Sequence, residues 1–220
     1  MDEENAKTEF DFGWKTRIEP QTAELALKHN RGSILDIGCG TCKLYDYLRS
    51  RGWKGQYTGI DAKRYEGYEY PEGIELIIGD ATTITLPKTD TCILYNVLEH
   101  VDEPTKLLSK CLGISKNTLV NVPKRNEELW AHGVIEYHQL DKSHRHCGYT
   151  KEEIAKVIEK AGGRIVDSVE LGKTDATVGM SLWKSSIPRF FVRNLRKIFA
   201  SKFFYQEMWF EIEKTFQKVE

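Results

Sequence analysis

Short apolar runs alternate with amphipathic stretches along most of the chain. Ser33–Ile37, Gln56–Asp61, Ile74–Ile78, Thr91–Tyr95 and Asn117–Val122 are short, apolar and bounded by turn residues, the signature of strands buried on both faces. Pro123 is expected to close the last of these, because proline cannot continue a central ladder. Helical spacing occupies the intervals: Glu19–His29, Cys42–Gly52 with Leu44, Tyr47 and Leu48 on one side, and Pro104–Leu112. Thr150–Ala161 carries its own boundaries. Thr150 and Glu153 form a capping-box pair, and Gly162-Gly163 stops the helix. Arg164–Leu171 and Ala176–Trp183 then alternate apolar with polar positions on either side of Gly172, which predicts an antiparallel hairpin. Strand–helix alternation of this kind predicts an α/β protein with a mostly parallel sheet and helices on both faces. The closing hairpin departs from dinucleotide-binding sheets, which usually finish with another parallel strand.

From Ile187 the pattern changes. Ile187–Phe204 holds Arg189, Arg193, Arg196, Lys197 and Lys202 interleaved with aromatics, while Gln206–Glu220 mixes acids and bases and reads as a surface helix. Residues 1–184 are therefore expected to form one domain. Residues 185–220 are expected as a helical tail packed on that domain, on a partner or on a membrane surface. The length of 220 residues suits such a plan. A formal net charge of −1 gives no whole-protein field for a polyanion, so a nucleic acid would need a local basic patch. The 5 cysteines are odd in number and irregularly spaced, which points to a reducing compartment. Met1-Asp2-Glu3-Glu4, acidic and followed by no apolar run, is not expected to start a signal peptide, and no run of about 18 apolar residues exists. A cytoplasmic location is expected.

The strongest chemical signal is Ile34-Leu35-Asp36-Ile37-Gly38-Cys39-Gly40-Thr41, a strand running into Gly-x-Gly and then a helix. Glycines are required where a ligand must approach the backbone closely. The dinucleotide fingerprint needs a third glycine where this chain has Lys43. Asp36 would repel a pyrophosphate yet can accept hydrogen bonds from an ammonium group. S-adenosylmethionine has an ammonium, a sulfonium and no phosphate, so these residues favour it over NAD. Asp61 ends the second strand about 20 residues past the turn, where an acid can bind ribose hydroxyls. Gly79-Asp80-Ala81 follows the third strand, and Asn96-Val97-Leu98-Glu99-His100-Val101 the fourth. Cys39 and Cys42 formally make a Cys-x-x-Cys pair but have no second pair, and read as ordinary thiols.

This ordered set resembles the class I, Rossmann-like S-adenosylmethionine-dependent methyltransferases, in particular the group with quinone-biosynthesis and other small-molecule enzymes. The resemblance runs from about Ile34 to Trp183 and implies a seven-stranded sheet with a C-terminal antiparallel hairpin. It implies that Asp36, Gly38 and Gly40 face the methionine part of the cofactor and Asp61 the ribose. Asp80 and Ala81 would hold the adenine, and Asn96 would line the methyl-donor pocket.

The long connection Pro123–Tyr149 holds His132, His138, His144 and His146 with Trp130, Tyr137 and Tyr149. Connections of that length usually carry function. Two readings stay open. One of His100, His144 and His146 serves as general base toward a hydroxyl acceptor. Alternatively, Glu99, His100 and one or two of His138, His144 and His146 bind a divalent metal that orients the acceptor. The second reading resembles the small-RNA 2′-O-methyltransferases, which have Glu-x-x-Glu-His where this chain has Asn96-x-x-Glu99-His100. The expected function is O-methylation of a small molecule. The alternatives are metal-assisted RNA 2′-O-methylation and a non-catalytic partner subunit of the same fold.

Overall fold

The structure, a computed structural model, describes residues 19–131, 136, 141–172, 174–175, 203–204 and 207–215. The strands are β1 (Ile34–Ile37), β2 (Tyr57–Asp61), β3 (Glu75–Ile78), β4 (Thr91–Tyr95), β5 (Asn117–Pro123), β6 (Gly163–Leu171), β7 (Thr174–Asp175), β8 (Phe203–Phe204) and β9 (Glu207–Lys214). The helices are α1 (Pro20–His29), α2 (Lys43–Ser50), α3 (Pro104–Ile114), α4 (Glu127–Ala131) and α5 (Lys151–Lys160). Seven strands form one sheet in the order β3-β2-β1-β4-β5-β9-β6, and β7 pairs with β8. The strands from β3 to β5 run parallel, whereas β9 is antiparallel to both β5 and β6.

The apolar runs behave as their burial demands. β1 and β5 are buried at every position. One face of the sheet packs Leu107, Leu108, Leu112, Ile154 and Ile158 from α3 and α5 against Leu94, Val120 and Phe210. The other face packs Ala23, Ala26, Leu44 and Leu48 from α1 and α2 against Ile34, Ile93 and Trp209. Thr150 caps α5 with the expected box: its hydroxyl accepts the Glu153 amide proton at 3.2 Å, and Glu153 Oε2 accepts the Thr150 amide proton at 2.9 Å.

The antiparallel end of the sheet is present, but its second strand is not the expected one. β6 pairs with β9, far later in the chain, and β9 inserts between β5 and β6. Glu207–Lys214 is thus a strand inside the sheet where a surface helix is expected. Met208, Phe210 and Ile212 enter the α3/α5 face and Trp209 enters the α1 face. Ala176–Trp183 lies outside the described residues, as do His132, His138, Tyr137 and nearly all of Ile187–Phe204. Pro123 is the last residue of β5 and pairs with Glu207, at the ladder end where a missing amide proton does no harm.

A buried acid secures β9. Glu211 is 2 % exposed and accepts hydrogen bonds from Arg31 at 2.9 Å and Asn117 Nδ2 at 3.1 Å, with His29 Nδ1 at 2.9 Å. Asn117 Oδ1 accepts the Thr91 hydroxyl at 2.9 Å, and Thr91 Oγ1 accepts the Arg31 amide at 2.8 Å. Three strands and the end of α1 therefore share one polar knot. Glu211→Ala is expected to destabilise the protein by about 1–3 kcal/mol in denaturant unfolding, because it removes the acceptor shared by His29, Arg31 and Asn117 from a buried position. A loss below about 0.5 kcal/mol, the size of an ordinary surface change, would show that the knot contributes nothing.

Candidate active site

The carboxyl ends of β1 to β5 open into one cleft of about 1440 Å³. Asp36, Gly38, Gly40, Asp61, Asp80, Ala81 and Asn96 all line it. Its floor is the turn after β1. Gly38 adopts φ +71°, and a Cβ there would stand 2.7 Å from Val97 Cγ2. Neither conformation nor space admits a side chain. The amides of Gly38 and Cys39 donate to the Ile60 carbonyl at 2.7 and 3.1 Å, which ties the turn to β2. The Gly40 amide donates to Asp61 Oδ2 at 2.9 Å, and the Lys63 amide to Asp61 Oδ1 at 3.3 Å. One carboxylate at the tip of β2 therefore positions the turns of two strands.

Asp36 is 5 % exposed and accepts a hydrogen bond from the Tyr57 hydroxyl. Burial pushes its carboxyl up to about 7, against the Tyr57 hydrogen bond, and Asp61 adds to the rise. Cys39 and Cys42 are free, buried thiols. A Cβ on Gly59 would stand 2.8 and 3.1 Å from their sulfurs, so the bare strand makes room for the pair.

At the adenine side expected from sequence, Asp80 Oδ1 accepts the amide and hydroxyl of Thr82 at 2.8 and 2.7 Å, which hold its carboxyl below the usual range. Lys110 reaches across from α3 and donates to the carbonyls of Ala81 at 2.9 Å, Thr82 at 3.3 Å and Ile84. Nothing in the local sequence singles out this lysine, because its partners are main-chain oxygens on a distant loop. Asn96 holds φ +52°, a conformation asparagine tolerates better than most residues. Its amide donates to the Asn121 carbonyl at 2.9 Å.

The side expected from sequence to take the acceptor begins with the 3-10 turn Leu98–His100. The carbonyl of Glu99 accepts the amides of Arg145 at 2.7 Å and His146 at 3.0 Å, which pins the loop before α5 onto this turn. Tyr149 strengthens the joint by donating to the Leu98 carbonyl at 3.0 Å. The rings of His100 and His144 meet edge to face, 4.5 Å apart. His100 Nδ1 sits 3.3 Å from the Ser143 carbonyl and 3.2 Å from its hydroxyl. Ligand atoms of Glu99, His100 and His144 all lie within 4.8 Å of one another. Glu99 is 0 % exposed, and neither carboxylate oxygen has a hydrogen-bond partner. Burial, with Glu207 and Asp141 nearby, pushes its carboxyl up to about 8. Two imidazoles and a carboxylate of this kind fit a divalent cation of the first transition row. The structure therefore brings His100 and His144 together at the cleft and leaves His146 out. The His146 ring is turned to the Val101 carbonyl, with Nε2 at 3.1 Å, and holds the loop rather than facing the cleft.

A sheet with β9 inserted antiparallel beside five parallel strands, and a glycine turn and acids at their carboxyl ends, defines the class I S-adenosylmethionine-dependent methyltransferases. The methyltransferase domain family matches residues 14–168, and the chain belongs to it. It is an enzyme of that class and its cofactor is S-adenosylmethionine. Solved structures agree on the fold. A SAM-dependent methyltransferase from Archaeoglobus fulgidus is 19 % identical, with 87 % of this chain and 94 % of that chain covered and a TM-score of 0.57. The magnesium protoporphyrin IX methyltransferase of Synechocystis, with bound S-adenosylhomocysteine, is 18 % identical over 89 % of this chain and 83 % of that one, TM-score 0.53. The 1,6-didemethyltoxoflavin N1-methyltransferase of Burkholderia thailandensis is 13 % identical over 90 % and 78 %, TM-score 0.59. Comparison with curated protein sequences gives no match. Among the described residues, no helix is long and apolar enough to cross a membrane.

The raised carboxyls of Asp36 and Glu99 give a pH dependence of unusual sign. Asp36 and Glu99 keep their protons in the folded ligand-free protein up to about 7 and about 8, whereas the unfolded chain releases them near the ordinary values of 3.8 and 4.5. The folded state binds more protons in that window, so stability is fullest below it and falls as pH rises from about 4 to about 8. Glu99→Gln is expected to flatten the upper part and to stabilise the ligand-free protein by about 1–3 kcal/mol at pH 9. Thermal unfolding across pH checks this; an unchanged profile in the variant would contradict the burial of an ionisable Glu99.

Proposed function

We propose that the protein transfers the methyl group of S-adenosylmethionine to a hydroxyl oxygen of a small-molecule acceptor. The observation that carries the reading is the Glu99–His100–His144 cluster, which faces the same cleft as Asn96. In this reading Asp36, Gly38 and Gly40 hold the methionine part, Asp61 the ribose, Asp80 and Ala81 the adenine, and Asn96 the methyl-donor pocket. Transfer is a direct displacement. The acceptor oxygen bonds to the methyl carbon as the carbon–sulfur bond breaks, and the sulfonium leaves as neutral thioether. Positioning supplies much of the acceleration. What remains is the hydroxyl proton. His100 is the group for it: Ser143 fixes its Nδ1 side, and its Nε2 stands 4.0 Å from Glu99 Oε1, where Glu99, once ionised, stabilises the imidazolium. His144 packs on the His100 ring and restricts its rotation.

A second reading of the same cluster is favoured by the unpartnered oxygens of Glu99. Glu99, His100 and His144 would hold a divalent cation, which when bound supplies Lewis acidity toward acceptor hydroxyls. Charge supports a small acceptor over RNA in either case. Among the described residues lining the cleft are nine carboxylates and five lysine or arginine side chains, a balance that repels a phosphate backbone.

Titrating zinc or manganese into protein loaded with S-adenosylhomocysteine separates the two readings. A metal site gives binding that is lost in both Glu99→Gln and His144→Ala. A purely proton-transferring site gives no such binding. In both, His100→Ala is expected to lower methyl transfer to phenol and catechol acceptors by about 100-fold with S-adenosylhomocysteine affinity retained. Unchanged turnover would remove His100 from the reaction.

A further inference from the structure

The cleft has a second polar wall, distinct from the residues assigned above to the cofactor and from the histidine cluster. It stands at the head of α1 and the start of β9, where Glu19, Thr22, Asn121 and Glu207 face the same space. Asn121 is 1 % exposed. Its Nδ2 donates to Glu207 Oε2 at 2.7 Å and to Asn96 Oδ1 at 3.3 Å. A carboxylate partner fixes which end of the amide is nitrogen. Its Oδ1 is left buried with no donor, and so is Thr22 Oγ1 on a residue 2 % exposed. Buried acceptors left unmatched are costly, and native structures rarely keep them without a ligand or water. Glu207 is 6 % exposed, and no cationic side chain among the described residues pairs with it. Burial pushes its carboxyl upward, and Glu19 adds to the rise.

The wall therefore offers two carboxylates, an amide oxygen and a hydroxyl. An anionic group would be repelled, and a neutral hydroxyl would leave the charge uncompensated. An ammonium matches it: three donors, no acceptor, one positive charge. The wall also adjoins the reaction site. Asn121 touches Asn96, and the chain passes from Asn96 through Val97 into the Leu98–His100 turn.

We infer that this wall is an ammonium subsite, and that the acceptor is a hydroxyl compound carrying a protonated amine, held by Asn121 Oδ1 and Glu207 while its hydroxyl faces His100 and His144. The hydroxyl half rests on the proposed O-methylation; the ammonium half stands on the wall alone.

The test titrates protein loaded with S-adenosylhomocysteine with three phenols of similar shape: tyramine, 4-ethylphenol and 4-hydroxyphenylacetate. Tyramine is expected to bind at least about ten-fold more tightly than either of the others, the scale of one charge-assisted contact. Glu207→Gln should abolish the preference, and Glu19→Gln, at an exposed position, should reduce it, with S-adenosylhomocysteine affinity retained in both. Equal affinities, no binding of tyramine, or a preference that survives both variants would overturn the subsite. Loss of S-adenosylhomocysteine affinity in Glu207→Gln would assign the wall to the cofactor's own ammonium and overturn it too. Selective binding of tyramine that yields no methyl ether once S-adenosylmethionine replaces the product would keep the subsite and reject transfer to oxygen.

Discussion

Asp61 accepts the Gly40 amide proton from the tip of the neighbouring strand, and the ligand edge of the molecule is built outward from that bond. The turn after β1 has little side chain to hold it, since Gly38 must approach Val97 and both Gly38 and Gly40 take positive φ. A turn without side chains is floppy unless its amides are tied down. The Ile60 carbonyl and the Asp61 carboxylate do this from β2, which can reach only because β1 and β2 run parallel and in register, Ile37 beside Ile60. Parallel packing also sets the carboxyl ends of β3, β4 and β5 beside them, so each strand delivers its polar residues to one row.

That row is unusually acidic for a buried surface, and the acidity explains what the site can hold. Asp36 and Glu99 sit where burial makes a negative charge costly, and both rise toward neutrality. Each becomes an ordinary carboxylate again when a positive group arrives. The cofactor brings an ammonium and a sulfonium, and in the proposed reading the histidine cluster brings an imidazolium or a cation. A cleft of this character selects positive ligands and gives them a medium of low dielectric in which the attraction is strong. Glu211 shows the contrasting case: an equally buried acid already matched by donors from α1 and β5, and so structural rather than receptive.

Much of this was legible in the sequence because the relevant patterns are local. The first five strands run within a residue of their expected limits, since short apolar runs bounded by turn residues leave little latitude. The capping box of α5 and the residues of the glycine turn were legible for the same reason. β9 was not. Glu207 and Glu211 interrupt its apolar run, and the mixed charges after them imitate a surface helix, although Met208, Phe210 and Ile212 already alternate. The buried acids make sense only once His29, Arg31, Asn117 and Asn121 are in place, and no local rule reports partners that distant. The arm expected to follow β6, Ala176–Trp183, lies outside the described residues, and alternation within β6 could not name β9 as its neighbour. His146 shares its segment with His144, yet only the Glu99 carbonyl and the Val101 carbonyl determine which imidazole meets the cleft. Lys110, Thr22 and Glu207 gave no signal, because their roles depend on backbone oxygens and strand ends far away in the chain.

The central claim is that the cleft over the Gly38–Gly40 turn is built for S-adenosylmethionine, and calorimetric titration with S-adenosylhomocysteine tests it most directly. Saturable binding with a Kd of about micromolar order is expected, weakening as pH falls through about 7 because, in the proposed assignment, Asp36 must release its proton to meet the ligand's ammonium. No heat of binding at millimolar ligand across that pH range would contradict it.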